Sequence, residues 1–153
     1  MNLRHYLDLL HRSLLELAQA FGDVAEAHRD EPDVRIDCEN FAKQATHQRE
    51  LLRPFLNDYQ ANDTGDDEPQ RLHRVLFDGT RAGPLGLIRD LHDLYLMTCE
   101  CDICWILIRQ GAEGARDPDL VDIAQNCLKE TELQMAWLRS RMKQAAPQAL
   151  VVA

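Results

Sequence analysis

Apolar residues recur along the chain at alternating steps of four and three residues, the spacing that places them on one face of an α-helix. Near the N-terminus this pattern runs without a break through Leu3, Leu7, Leu10, Leu14, Leu17, Phe21, Val24 and His28. The residues Asp30, Glu31 and Pro32 follow, and a proline suits the first turn of a helix. We therefore predict a first helix that ends near His28 and a second that begins near Pro32.

The second and third predicted helices carry the same spacing. The second contains Pro54, which removes one backbone hydrogen bond and predicts a kink. Its apolar face is formed by Val34, Cys38, Phe41, Ala45, Gln48, Leu52, Phe55 and Tyr59. The third helix is expected from about Gly83 to Gly111, and its apolar residues occupy most of its faces. A helix of that kind indicates packing on more than the bundle interior.

The fourth helix completes the fold. It opens with Asp117, a residue type that caps helix N-termini, followed by Pro118, and it is expected to stop at Pro147. A chain of 153 residues is long enough for one domain with a hydrophobic core and too short for two. With no strand pattern and no internal repeat, we predict an all-α fold, a single four-helix-bundle domain over residues 1–153.

The composition excludes several classes of partner. Hydrophobic residues make up 45% and charged residues 28%, as in folded globular proteins. The net charge of −9 disfavours nucleic acid and anionic membrane surfaces, which both require clustered Lys and Arg. The longest apolar run, Ile103 to Ile108, is far shorter than the roughly 20 residues of a membrane span. Without a signal-peptide pattern and with an odd number of cysteines, we expect a reduced, cytoplasmic protein.

The segment CECDICW, residues 99–105, raises the question of a metal or thiol-redox site. On a helix, Cys101 and Cys104 lie about 60° apart while Cys99 lies on the other side, so three thiolates cannot converge on one ion. Redox C-x-x-C pairs work at a helix N-terminus, whereas this pair lies near the middle of a long helix. We therefore favour core packing by small, polarisable side chains.

Three segments carry a family resemblance: HRDEPDVRIDCENFAKQATHQRELLRPFLNDY, GLIRDLHDLYLM and AWLRSRMKQAAPQALV. They resemble uncharacterised bacterial members of the ferritin-like superfamily, and the likeness in helix length and order covers nearly the whole chain. It implies a ferritin-like four-helix bundle with a long crossover between helices 2 and 3. The stretch of about 23 residues before the third helix is long enough to span such a bundle.

The best-known members of this superfamily hold a di-iron carboxylate centre, which needs an inward Glu from two helices and an inward Glu-x-x-His from the other two. The sequence contains no Glu-x-x-His, and its nearest counterpart is Gln44-x-x-His47. Glu16 faces away from the apolar stripe of the first helix, and amides or hydroxyls such as Gln134 and Thr131 stand where carboxylates would. We therefore expect a degenerate di-iron site, with no cofactor, metal ligand or catalytic residue assigned.

A cluster of inward polar residues at one end of the bundle is the candidate site. Across the first helical hairpin, His28 falls level with the start of the second helix, so Asp37 lies within about one or two turns of it. The crossover would bring Asp90 and Arg141 to the same end. One interpretation is a metal or anion site with an imidazole and two carboxylates. The other is an ion-pair network in which Arg141 and His28 neutralise the two carboxylates. We favour the network because a guanidinium already supplies positive charge, and we predict Asp90 within salt-bridge reach of Arg141 or His28.

Two functions are consistent with these patterns. The first is a degenerate, non-catalytic ferritin-like bundle that acts through assembly or partner binding. The apolar faces of the third helix and the tail PQALVVA favour it, and a homodimer is the simplest assembly. The alternative is a metal-binding protein or metal-dependent oxidase that uses iron, manganese or zinc with a non-standard His/Asp ligand set. A thiol-redox role is a third class, which requires a fast-reacting cysteine.

Overall fold

A computed structural model describes residues 2–61 and 76–152, apart from the side chains of residues 60 and 61. The four α-helices are α1 (Leu3–Ala27), α2 (Pro32–Ala61), α3 (Gly83–Gly114) and α4 (Pro118–Pro147), and a short π-helix (Gln148–Val152) follows α4. The predicted all-α fold is confirmed, and the described residues contain no strand. None of these helices is long and apolar enough to span a membrane, as far as the described residues go.

The helix ends follow the local signals in the sequence. Pro32 and Pro118 are the first residues of α2 and α4, where a missing backbone N–H costs nothing. Before α4, the Asp117 side chain accepts a hydrogen bond from the N–H of Leu120 at 3.2 Å, which satisfies one of the free donors of that helix. α2 continues through Pro54 to Ala61.

The contacts between helix ends show which helices run in opposite directions. α1 packs mainly against α2, and α3 against α4, with α1 and α3 also in contact. His28, directly after α1, contacts Asp90 near the start of α3, and Leu3 lies against Gly111 near the end of α3. α1 and α3 are therefore antiparallel.

α2 and α4 are antiparallel for the same kind of reason. Tyr59 near the end of α2 donates a hydrogen bond to Asp117 just before α4, at 2.9 Å. Arg141 late in α4 contacts Asp33 early in α2, at 2.7 Å. The end of α2 and the start of α3 thus lie at opposite ends of the bundle. The predicted crossover between them, from about Ala61 to Gly83, includes residues 62–75, which lie outside the described residues.

The core sits between the four apolar stripes. The leucines of α1 at positions 7, 10, 14 and 17 are at most 1% exposed, and Trp105 of α3 is the largest fully buried side chain. The Phe41 ring packs at 5.4 Å from that of Phe21 and at 5.5 Å from that of Trp137. The buried hydroxyls of Thr98 and Thr131 donate to carbonyls of their own helices, and the larger buried polar groups lie in the two layers described below.

Four of the five cysteines belong to this core. All five are free thiols, and four of them are buried: Cys38, Cys101, Cys104 and Cys127. Burial raises the pKa of Cys38, Cys104 and Cys127 to about 12, and it raises that of Cys101 as well. The thiols are therefore protonated and poorly nucleophilic near neutral pH, as the predicted packing role requires.

Candidate functional site

A histidine and an aspartate form the centre of the polar cluster at one end of the bundle. His28 is the C-terminal cap residue of α1, and its backbone N–H bonds to the carbonyl of Val24. Asp90 lies two turns into α3 on the inward face that also carries Leu87 and Leu91. The His28 Nε2 and Asp90 Oδ2 atoms are 2.7 Å apart, and the two side chains are 7% and 0% exposed.

Arg81 supplies the other partners of Asp90. Its backbone N–H donates to Oδ2 at 2.9 Å, and its Nη1 donates to Oδ1 at 3.1 Å. Arg81 also bonds Asp93 at 2.9 Å, and this hydrogen bond, followed by the charges of Asp93 and Asp90, raises the pKa of the guanidinium. A buried carboxylate is tolerated only when it is paired and hydrogen-bonded, and the two Arg81 donors together with the contact to His28 meet that requirement.

Two glycines allow the backbone of Arg81 to reach this position. Gly83 has φ +77°, a conformation that residues with a side chain rarely adopt, so the chain can turn sharply into α3. A Cβ atom on Gly86 would lie 2.7 Å from the carbonyl carbon of Arg81. The absence of a side chain at Gly86 therefore lets the segment before α3 lie directly on the first turn of that helix.

The other two predicted members of the cluster are placed differently. Arg141 binds Asp33 at 2.7 Å and Glu31 at 3.1 Å, so the expectation that it neutralises Asp90 is wrong. Asp37 is half-buried, and among the described residues it has no hydrogen-bond or ion-pair partner. On α2 it lies about 100° from the buried Cys38, at the edge of the inward face.

Helical periodicity therefore did not identify Arg81 as the counter-charge of Asp90. Arg81 precedes α3 and has no position on a helical face, so no stripe pattern could assign it inward. The one available signal was Gly83 and Gly86 in RAGPLG, which indicate a tight turn and a close backbone approach.

A cavity of about 540 Å³ adjoins this cluster. Its wall combines the end of α1, the start of α3, the last turns of α4 and the π-helix, and includes His28, Glu31, Leu87 and Arg141. His28 therefore has Asp90 on its buried side and an open cavity on another.

A second polar layer lies in the middle of the bundle. The Trp105 indole N–H donates to Gln48 Oε1 at 3.0 Å, and Gln48 Nε2 donates to Glu130 Oε1 at 3.3 Å. Beside them, Gln134 Nε2 donates to Gln44 Oε1 at 2.9 Å. Gln48 is thus held between an indole and a carboxylate, while Gln134 and Gln44 bond each other. An amide oxygen that already accepts a hydrogen bond is a weak ligand for a transition metal. Within the described residues, no group of three or more His, Cys, Asp and Glu side chains could hold an ion.

Besides the two polar regions, α3 carries an exposed apolar surface. Four large side chains on its outer side are exposed to between 40% and 48%, and we call them the outer α3 face: Leu96, Ile103, Ile106 and Leu107. Three of them line a groove of about 410 Å³ between α1 and α3, where they meet Tyr6 and Leu9. This surface agrees with the surplus of apolar residues seen in the sequence of this helix.

The candidate site therefore has three parts: a buried His28–Asp90 pair that Arg81 joins beside a cavity, a polar layer in the bundle interior, and an exposed apolar face on α3. Comparisons of the chain with protein-family models, with curated proteins and with solved structures find no significant match.

Proposed function

We propose that this protein is a non-catalytic, ferritin-like helical bundle that acts by binding another protein surface through the outer α3 face, in the simplest case that of a second copy. The observation that carries the proposal is the exposure of Leu96, Ile103, Ile106 and Leu107 on one side of one helix. Large apolar side chains exposed together on one face of a helix are typical of surfaces that bind another protein.

The spacing of these residues suits a helix partner. Leu96 and Ile103 are seven residues apart, and Leu107 follows four residues later, which is the repeat by which one helix packs against another. The adjoining groove adds Tyr6 and Leu9 of α1 to the same surface. A helix of a second copy, laid along this groove, would cover the apolar groups of both chains at once.

The ferritin-like topology is part of the same proposal. It is supported by the antiparallel pairs α1–α3 and α2–α4, which leave the end of α2 and the start of α3 at opposite ends of the bundle. A segment between α2 and α3 that runs the length of the bundle would join these two ends. The degenerate metal site is supported by Gln44, Gln48 and Gln134, whose amides occupy the interior layer where such bundles carry carboxylates and histidines.

Light scattering at micromolar protein concentration tests the proposal. We expect twice the chain mass of 17.6 kDa for the wild type and a monomer for the double variant Ile103→Glu, Leu107→Glu. Both residues are exposed, so the charges should leave the fold intact. Leu133→Glu, at a 70% exposed position on α4, is the matched control and should remain dimeric. A wild-type monomer, or a control that dissociates equally, would remove the support for assembly through α3.

A further inference from the structure

The groove beside the outer α3 face extends beyond the apolar side chains of that face. Glu16, Leu76 and Met97 line both the groove of about 410 Å³ and a second cavity of about 340 Å³. The two cavities therefore adjoin, and along α1 they reach from Tyr6 to Asp23. We call the two together the α1–α3 groove. At 1.5 Å per residue its length is about 25 Å, which is that of a helix of about 17 residues.

Every charged side chain among the described residues of this wall is acidic. Glu16 and Glu100 line the first cavity, and Glu16, Asp23 and Asp78 line the second. Glu100, Asp23 and Asp78 form no ion pair with any residue that the structure describes. The groove therefore combines exposed apolar groups with carboxylates whose charge the described part of the chain does not neutralise.

These carboxylates lie toward one end of the α1–α3 groove. On α1, the uncharged Tyr6 and Leu9 precede Glu16, and on α3, which runs in the opposite direction, Glu100 precedes Leu107. Both orders place the acidic groups at the same end and the apolar groups at the other. A matching ligand needs apolar side chains over one half of its length and cations over the other half. An α-helix with an apolar stripe and with lysines or arginines near one end has these properties.

The same charges disfavour a second copy as the preferred occupant. In a symmetric pair, identical surfaces face each other, so two acidic grooves come together. Like charges brought together in an interface oppose association, and the net charge of −9 on each chain adds to this repulsion. A second copy would cover the apolar groups but leave the carboxylates unpaired, whereas a basic helix would satisfy both.

We propose that the α1–α3 groove binds a basic amphipathic helix of another protein, and that this helix displaces a second copy. The inference rests on the proposed function, because it uses the outer α3 face, and it adds the chemistry of the partner. Leu96, Ile103 and Leu107 meet the apolar stripe of the bound helix. Glu100 and Asp78 pair with its basic side chains.

Fluorescence anisotropy of a labelled synthetic peptide, titrated with the whole protein, tests this proposal. The peptide has about 17 residues, leucines at alternating steps of three and four residues, and lysines near one end. A control peptide carries glutamates in place of the lysines. We expect the lysine peptide to bind saturably, with a dissociation constant of about 10 µM, and the glutamate peptide to bind at least about tenfold more weakly. Salt should weaken binding of the lysine peptide, because it screens exposed ion pairs.

Two double variants with the same change in charge test where the peptide binds. Glu100→Gln, Asp78→Asn removes two carboxylates of the groove wall and should weaken binding of the lysine peptide about fivefold, the effect of two solvent-screened ion pairs. Glu39→Gln, Asp122→Asn removes two exposed carboxylates that are not part of this wall, and it should leave the affinity unchanged. Equal affinities of the two double variants, or of the two peptides, would overturn the proposal.

Light scattering of the same mixtures separates the identity of the partner from assembly through α3. With the lysine peptide in excess, we expect the mass of one chain plus one peptide in place of the dimer. A wild-type dimer that does not bind the peptide would overturn the basic-helix proposal and leave the proposed function standing. A wild-type monomer that binds the lysine peptide would support the basic helix and exclude the second copy. A monomer that binds neither peptide would overturn both.

Discussion

The Nε2 atom of His28 lies 2.7 Å from the Oδ2 atom of Asp90, although the two residues are 62 positions apart in the chain. The contact joins the C-terminal cap of α1 to the second turn of α3, and it holds the two helices together at one end of the bundle. Arg81 binds the same carboxylate, because its guanidinium donates to Oδ1 and its backbone N–H donates to Oδ2.

Removal of the Asp90 carboxylate should destabilise the fold far more than removal of a surface carboxylate. Asp90→Ala leaves the buried imidazole of His28 and the partly exposed Arg81 without their partner. Losing one partner of a buried pair costs about 3 to 5 kcal/mol of unfolding free energy. Asp122→Ala, at an exposed position of α4, should cost less than about 0.5 kcal/mol. Urea denaturation of both variants measures the difference, and equal effects would mean that the pair contributes nothing to stability.

Gly86 should be intolerant of even a methyl group. The added Cβ of Gly86→Ala would meet backbone atoms of Arg81 at 2.7 and 2.9 Å, so the segment that reaches Asp90 must move. Gly22→Ala in α1 is the matched control, because nothing lies within 4 Å of its Cβ and alanine is the better helix former by about 1 kcal/mol. We expect Gly22→Ala to raise the free energy of unfolding and Gly86→Ala to lower it, by about 1 to 3 kcal/mol. A stabilising Gly86→Ala would show that Arg81 does not pack against this turn.

Only Cys99 should react with a thiol reagent in the folded protein at neutral pH. It is half-buried, whereas the other four cysteines are buried and burial raises their pKa values. Cys99 also has a raised pKa, mainly through burial, so its reaction should be slow as well. Timed alkylation with mass spectrometry checks this expectation, with the urea-unfolded chain as the fully reactive reference. A second cysteine that reacts rapidly in the native state would revive a thiol-based function.

Tyr59 should contribute to stability up to about pH 10 and lose that contribution at higher pH. Burial and the hydrogen bond to Asp117 raise its pKa from 10.0 to about 12, so the folded state favours the protonated phenol. The stabilisation is complete below the unfolded pKa and disappears between pH 10 and 12, as the phenol of the folded state ionises. Because Tyr59 is half-exposed, we expect Tyr59→Phe to cost no more than about 1 kcal/mol at neutral pH.

The measurement for Tyr59 is the difference in unfolding free energy between wild type and Tyr59→Phe across the alkaline range. The buried cysteines also titrate there, but they are common to both proteins and cancel in the difference. The difference should shrink toward zero as the pH approaches 12. A difference that stays constant with pH would assign the effect to packing of the ring rather than to the hydroxyl.

Elemental analysis separates the proposed scaffold from the metal-dependent alternative. For protein purified without added chelator and then dialysed, we expect less than one iron, manganese or zinc per chain. Stoichiometric metal that survives dialysis and disappears in the double variant His28→Ala, Asp37→Ala would overturn the scaffold proposal. His47→Ala, at an exposed position of α2, is the control for metal held by surface histidines.

The sequence by itself determined the helices and the side that each presents to the core. The apolar stripe from Leu7 to Val24 is buried along its length, and the proline and aspartate signals mark the starts of α2 and α4 within a residue. These features are local, because a helix repeats every 3.6 residues and its ends require specific caps. The same periodicity placed Asp90 inward and excluded a shared metal site for the cysteines of CECDICW.

Tertiary structure alone decided which polar residues meet. Asp90 needed a counter-charge, and several cations lay within range of its end of the bundle. The backbone of Arg81 lies close to Gly86, and this position makes Arg81 the partner of Asp90. Arg141 instead binds carboxylates at the start of α2. Periodicity specifies the direction of a side chain on its own helix, but pairing depends on the relative height and rotation of helices and on loop segments that have no helical face. The cavity beside His28 exists only once the ends of α1 and α4, the start of α3 and the π-helix have come together.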